Sequence, residues 1–111
     1  YTDGELKPEE MSLQMAQTIR NAGPWGQNFA EPAFSGKFNI IQQRIVGQRH
    51  LRLILTMPGD PKAINAIAFN VDTNIWPNHR CSKIHVAYRL DINEYQGLKT
   101  LQLIIEYLTA F

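Results

Sequence analysis

Apolar and polar residues alternate along much of the chain after residue 36, with the period of two that is typical of strands with one buried face. The alternation is clearest from 50 to 57, where Leu51, Leu53 and Leu55 share one side and Arg52 lies on the other. A second regular stretch runs from 83 to 93. Together with neighbouring apolar runs, the pattern predicts five strands, at 37–46, 50–57, 64–70, 83–93 and 99–108.

Turn-forming residues separate these predicted strands. Gly47 ends the first, Pro58-Gly59-Asp60-Pro61 follows the second, and Gln96-Gly97 predicts a tight hairpin between the last two. Residues 71–80 have neither period and predict an irregular segment, with room for one helical turn near Trp76.

The pattern before residue 34 is helical instead. Apolar residues recur at helical spacing between 11 and 19, and Pro8-Glu9-Glu10 suits a first helical turn. Gly23-Pro24 is expected to end the helix, because proline cannot continue it. Trp25 and Phe29 follow in a short loop, which we expect to dock the helix against the strands because large aromatic side chains favour burial.

Five strands with an irregular insert between the third and fourth form the element order of an OB-fold, a mainly β, five-stranded Greek-key barrel. An SH3-like barrel uses similar elements and is the nearest alternative. The long first strand with Gly47 near its end favours the OB-fold, because a strand shared between both sheets must bend. We therefore expect a helical lead-in and aromatic connector over 1–33 and the OB-fold domain over 34–111.

The composition is that of one globular domain. The chain has 111 residues, of which 44% are hydrophobic, and its single cysteine, Cys81, excludes an intrachain disulfide. It contains no apolar run near the roughly 18 residues of a membrane span and no signal-peptide pattern. The absence of an initiator methionine before Tyr1 suggests a piece of a longer polypeptide. We expect a cytoplasmic protein.

The residues for catalysis are missing. One cysteine and three scattered histidines do not make a zinc site, and neither nucleotide-binding glycine motifs nor His-Glu-x-x-His occur. Two-metal phosphodiester hydrolysis needs converging aspartates and histidines, whereas Asp60, Asp72 and Asp91 fall in different predicted elements. We therefore expect no catalytic residue, no metal and no other cofactor in this chain, and no enzymatic activity of its own.

Charge is distributed unevenly. Residues 1–33 carry five acidic and two basic side chains, a net charge of −3, whereas residues 34–111 carry nine basic and five acidic ones, a net charge of +4. A basic barrel suits a polyanionic partner, since cations bind phosphates while aromatic rings stack on bases. The same positions also fit solvated outward side chains, because half of each strand faces water. The predicted nucleic-acid-binding residues are Arg44, Arg49, His50, Arg52, Phe69, Arg89, Tyr95 and Lys99.

Several longer strings are more specific. Ala-Gly-Pro-Trp-Gly-Gln at 22–27, Gln-Arg-Ile-Val-Gly at 43–47, Ala-Ile-Ala-Phe-Asn at 66–70 and Tyr-Arg-Leu-Asp-Ile-Asn-Glu-Tyr at 88–95 stand out. In these strings, and in their order over nearly the whole chain, the sequence resembles the C-terminal region of the bacterial RecJ family of single-strand-specific exonucleases.

The resemblance implies a parent hydrolase that degrades single-stranded DNA 5′→3′ in recombination and mismatch repair. Family members bind Mn²⁺ or Mg²⁺ through Asp-His-His motifs in an N-terminal region, and no such motif occurs here. The expected function is therefore that of a non-catalytic OB domain that holds single-stranded DNA beside the catalytic core of the same polypeptide. The alternative is a structural or docking domain that braces this core or recruits single-strand-binding protein. No membrane partner is expected.

Overall fold

The computed structural model of the protein describes residues 4–22 and 32–110. The predicted helix stop at Gly23-Pro24 and the predicted Trp25/Phe29 loop lie outside these residues. Each predicted strand is present, with bounds that differ by a few residues. The described elements are a 3-10 turn (Pro8–Glu10), helix α1 (Leu13–Ala22) and strands β1 (Phe34–Val46), β2 (His50–Thr56), β3 (Ile64–Ala68), β4 (Lys83–Tyr95) and β5 (Leu98–Ala110).

The strands close into a barrel in the order β1-β2-β3-β5-β4. β3 and β5 are parallel, and the other neighbouring pairs are antiparallel. The tight turn at Gln96-Gly97 has the positive φ angles, 52° and 81°, that a two-residue hairpin requires. This five-stranded topology confirms the predicted OB-fold.

β1 is the strand shared between two neighbours. Its residues 34–39 pair with β4 and its residues 39–46 pair with β2. The register shifts between Ile40 and Gln42, so Ile41 is an extra residue in a β-bulge, and bulges bend the strand that carries them. The expectation that Gly47 marks the bend is therefore wrong. Gly47, with φ of 65°, instead begins the turn into β2.

The predicted alternation is confirmed in the barrel interior. The inward side chains of β2 from Leu51 to Leu55 and of β4 from Ile84 to Leu90 are almost completely buried, and the ring of Tyr88 packs edge-on against Phe38 at 5.5 Å between centroids. Burial, together with the negative charges of Glu5 and Glu10, raises the pKa of Tyr88 well above its usual range, so the phenol stays neutral. The most deeply buried side chains are Met11, Phe38, Leu51, Leu53, Leu55, Ile84, Val86, Tyr88 and Leu103.

α1 begins later than the sequence pattern indicated. Pro8–Glu10 forms a separate 3-10 turn, and the Ser12 hydroxyl accepts the backbone N–H of Met15 at 3.0 Å, which caps the helix. The helix packs on β4 and β5, where Arg20 makes an ion pair of 2.8 Å with Asp91.

The connector between β3 and β4 runs beside the part of β1 that β4 leaves uncovered. The Gln43 side chain, 9% exposed, donates to the carbonyl of Asn78 at 2.7 Å and accepts its N–H at 2.9 Å. The Ile40 N–H donates to the carbonyl of Ser82 at 2.8 Å. The single turn predicted near Trp76 is present as hydrogen bonds rather than as a helix, and Trp76 is buried in the core.

Candidate nucleic-acid interface

Two arginines lie directly opposite each other on the outside of the barrel. Arg44 of β1 is the register partner of Arg52 of β2, and Arg52 in turn lies opposite Ile67 of β3. Both arginines are exposed, and within the described part of the chain neither makes an ion pair. Like charges opposite each other across an antiparallel pair are destabilising. An anion bound between the two guanidinium groups would relieve that repulsion.

An aromatic surface adjoins these arginines. His50 lies two residues before Arg52 on the same side of β2, and its ring meets Phe69 edge-on at 5.2 Å between centroids. His50 Nδ1 accepts the backbone N–H of Asn70 at 3.2 Å, so the neutral ring carries its proton on Nε2. Phe69 is 51% exposed. Its ring is therefore positioned by His50 and open to a planar ligand.

Arg49 lies at the end of this surface. It is exposed in the turn between β1 and β2, and its carbonyl accepts the N–H of Val71 at 2.8 Å, which fixes the backbone there. The fold thus brings together five of the residues predicted from the sequence. We call them the arginine face: Arg44, Arg49, His50, Arg52 and Phe69.

A second row of outward residues adjoins the arginine face and was missed by the sequence analysis. Gln42 lies opposite Ile54, which lies opposite Asn65. Gln42 and Ile54 form, with Arg44 and Arg52, the walls of a shallow depression of about 160 Å³. Because the bulge shifts the alternation of β1, the sequence pattern does not reveal that Gln42 points outward. The period of two in β3 could have identified Asn65.

The other three predicted residues lie elsewhere. Arg89 lies across β3 and β5 from Arg52, and its Nε lies 3.6 Å from the carboxylate of Glu106. With Phe69, Arg89 lines a depression of about 330 Å³ beside α1. Lys99 lies opposite Glu94 beside the β4–β5 turn, and the exposed Tyr95 flanks the same turn. The two cations therefore face carboxylates; Lys99 lies away from the arginine face, whereas Arg89 adjoins it at Phe69.

Metal ligands are not clustered in the described part of the chain. Within residues 4–22 and 32–110, no three histidine, cysteine, aspartate or glutamate side chains are grouped to hold a metal ion. The Cys81 thiol donates to the carbonyl of Lys83 at 2.8 Å. Nor does either range contain a helix of the length and hydropathy needed to cross a bilayer.

A closed barrel of this strand order, with arginines and an exposed aromatic ring on one outer face, defines an OB-fold domain with a candidate nucleic-acid interface. The family described as the RecJ OB domain matches residues 2–107. The chain therefore belongs to the RecJ OB domain family, which confirms the resemblance seen in the sequence.

Two relatives illustrate the similarity. The single-stranded-DNA-specific exonuclease RecJ of Escherichia coli K12 is 49% identical over 105 residues, which are 95% of this chain and 18% of the relative. The exonuclease of the same name from Haemophilus influenzae is 41% identical over 110 residues, 97% of this chain and 19% of the relative. The chain thus spans about a fifth of the length of these relatives.

Solved structures show the same fold. The crystal structure of RecJ from Thermus thermophilus in complex with Mn²⁺ aligns with a TM-score of 0.70 at 18% identity, over 97% of this chain and 15% of that one. The Mg²⁺ complex from the same organism aligns with a TM-score of 0.67 at 17% identity, over 95% of this chain and 16% of that one.

Proposed function

We propose that this chain binds single-stranded DNA through the arginine face and does not cleave it. The observation that carries the proposal is the opposed pair Arg44 and Arg52, without an ion-pair partner in the described residues, beside the exposed ring of Phe69. Guanidinium groups bind phosphate oxygens in bidentate geometry, and aromatic rings stack on bases. Membership in the RecJ OB domain family supports this choice over other anions.

The geometry favours a single strand over a duplex. Bases in a duplex are stacked on each other, whereas those of a single strand are free to stack on Phe69. Stacking is tolerant of sequence, because every base has a π-face, and phosphate contacts carry no sequence information. Binding at this face is therefore expected to be independent of sequence.

In the parent protein, the proposed role is to hold the strand for a 5′→3′ single-strand-specific exonuclease of recombination and repair. The nuclease site, with its Mn²⁺ or Mg²⁺, would lie in the catalytic core of the same polypeptide, outside this chain. The two relatives are named as single-stranded-DNA-specific exonucleases, and the two solved RecJ structures are complexes with these metals.

A docking role is the second candidate, and one surface favours it. Tyr107 of β5, 65% exposed, lines a depression of about 220 Å³ whose other wall is the start of the β3–β4 connector. The same connector exposes Ile75. These apolar side chains suit contact with the nuclease core or with single-strand-binding protein.

Single substitutions that each remove one positive charge distinguish DNA binding from docking. Binding of labelled oligothymidylate to the 111-residue chain is measured by fluorescence anisotropy at several salt concentrations, beginning low. Arg44→Gln and Arg52→Gln are each expected to weaken binding and to reduce the magnitude of the log K against log salt slope by about 0.7. Lys99→Gln, which removes the same charge opposite Glu94, serves as the matched control and is expected to leave the slope unchanged.

The outcomes are distinct. Equal slope changes for all three variants would indicate general electrostatic attraction and contradict a defined face. Binding that survives both arginine substitutions unchanged would contradict the proposed face and favour the docking role.

A further inference from the structure

Positive charge is concentrated along β1, β2, most of the β3–β4 connector and the first half of β4, although the acidic N-terminal segment meets the start of β1, where the N–H of Ser35 donates to the carbonyl of Gly4 at 2.9 Å. Residues 32–59 and 73–90 contain no aspartate or glutamate. The first range includes β1 and β2, and the second includes most of the β3–β4 connector and the first half of β4. The lysines and arginines in these two ranges are Lys37, Arg44, Arg49, Arg52, Arg80, Lys83 and Arg89.

A second basic cluster lies at the opposite end of β1 from the arginine face. Lys37 of β1 is the register partner of His85 of β4, and Asn39 is the partner of Lys83. Lys37, Lys83 and His85 are exposed. Because they alternate with the buried residues of their strands, they point to the outside of the barrel, as do Arg44 and Arg52.

The connector joins the two clusters. Its residue Asn78 is held by the side chain of Gln43, and its residue Ser82 by the N–H of Ile40. Arg80 lies between these two anchors and is exposed. The connector therefore places a further cation beside the middle of β1, between the arginine face and the Lys83 cluster.

The bulge exposes an apolar side chain near the middle of β1. Ile41, the extra residue, is 62% exposed and is followed by the exposed Gln42. Bulges redirect side chains, and here the redirected side chain is apolar and lies between two groups of cations. An isoleucine in this position can pack against the face of a base while the flanking cations contact phosphates.

We propose that a single DNA strand bound at the arginine face continues along β1, past Ile41 and Arg80, to the cluster of Lys37, Lys83 and His85. This inference rests on the proposed function and extends it by giving the path of the strand. The length of β1 from Arg44 to Lys37 is roughly 20 Å at 3.3 Å per residue. At about 3.4 Å per nucleotide this distance is spanned by about six stacked nucleotides, or by fewer in an extended strand.

The path is tested by the dependence of binding on oligonucleotide length. The 111-residue chain is titrated with oligothymidylate of about 4 and about 15 nucleotides, the range of OB-fold site sizes. Lys83→Gln is expected to reduce the magnitude of the salt slope by about 0.7 with the long strand and to have no effect with the short one. Arg52→Gln is expected to act on both lengths, and Lys99→Gln on neither.

Ile41→Ser provides an independent measurement. It is expected to weaken binding of the long strand without changing the salt slope, because an apolar contact releases no counterions. Both Ile41 and Lys83 are exposed, so the melting temperatures of these variants should match that of the unmodified chain. A measured match excludes unfolding as the cause of weaker binding.

The contradicting results differ for the two proposals. If Lys83→Gln and Ile41→Ser bind the long strand like the unmodified chain while Arg52→Gln weakens it, the path along β1 is wrong and the arginine face stands. If Lys83→Gln weakens the short strand as much as the long one, the clusters are separate sites and a single path is overturned. If Arg52→Gln has no effect at either length, the proposed function itself fails.

Discussion

Replacing Gln43 removes one of the two links between β1 and the β3–β4 connector, and the hydrogen bond from Ile40 to Ser82 remains. Gln43 is buried, and its amide makes two hydrogen bonds with the backbone of Asn78, at 2.7 and 2.9 Å. Gln43→Ala deletes both bonds and leaves the N–H of Asn78 without its protein partner, whereas the carbonyl of Asn78 still accepts the N–H of Cys81 at 3.0 Å. The side chain of alanine is too short to replace either bond.

The cost follows from these contacts. A net contribution of about 1 kcal/mol per hydrogen bond gives about 2 kcal/mol, and incomplete solvation of the unpaired Asn78 N–H raises the loss to about 3 kcal/mol. For a domain of this size, about 4 °C of melting temperature corresponds to 1 kcal/mol. Gln43→Ala is therefore expected to lower the melting temperature by about 8–12 °C.

Thermal and urea unfolding followed by circular dichroism measure this change. The neighbouring Gln42 is exposed, and Gln42→Ala is the matched control, expected to change the free energy of unfolding by less than about 0.5 kcal/mol. Gln43→Glu keeps an acceptor for the Asn78 N–H but has no donor for its carbonyl, so it should also be destabilised. Equal stability of Gln43→Ala and Gln42→Ala, or a Gln43→Glu variant as stable as the unmodified chain, would refute the role of these two bonds.

Two further predictions concern ionisation and catalysis. Burial raises the pKa of Tyr88, so above about pH 10 the unfolded chain loses the phenol proton before the folded chain does. The free energy of unfolding should then fall by up to about 1.4 kcal/mol per pH unit. Tyr88→Phe should remove this component of an alkaline unfolding series, and an identical pH dependence in both proteins would contradict it. The isolated chain, incubated with Mn²⁺ and 5′-labelled single-stranded DNA, should release no nucleotides above a control preparation, because no metal ligands are grouped among its described residues. Reproducible digestion by purified protein would disprove this.

Features that depend on local periodicity could be predicted from the sequence. The alternation around Leu53 and around Tyr88 identified β2 and β4, and Gln96-Gly97 identified the hairpin. The predicted start of α1 was too early, because Met11 fits the helical spacing although the capping residue is Ser12.

Features that depend on register could not be predicted. A bulge inserts one residue and reverses the alternation after Ile41, so the exposure of Gln42 and the burial of Gln43 do not follow from a pattern of period two. The pairing of Arg44 with Arg52 likewise requires the β1–β2 register.

The most direct measurement of the central proposal is a backbone amide NMR titration of the 111-residue chain with oligothymidylate. Binding at the arginine face should shift the amide resonances of residues 42–54 and 65–70, and the resonances of the hairpin at 94–99 should stay in place. Shifts confined to that hairpin or to the surface around Tyr107, with none near Arg44 and Arg52, would contradict binding at the arginine face.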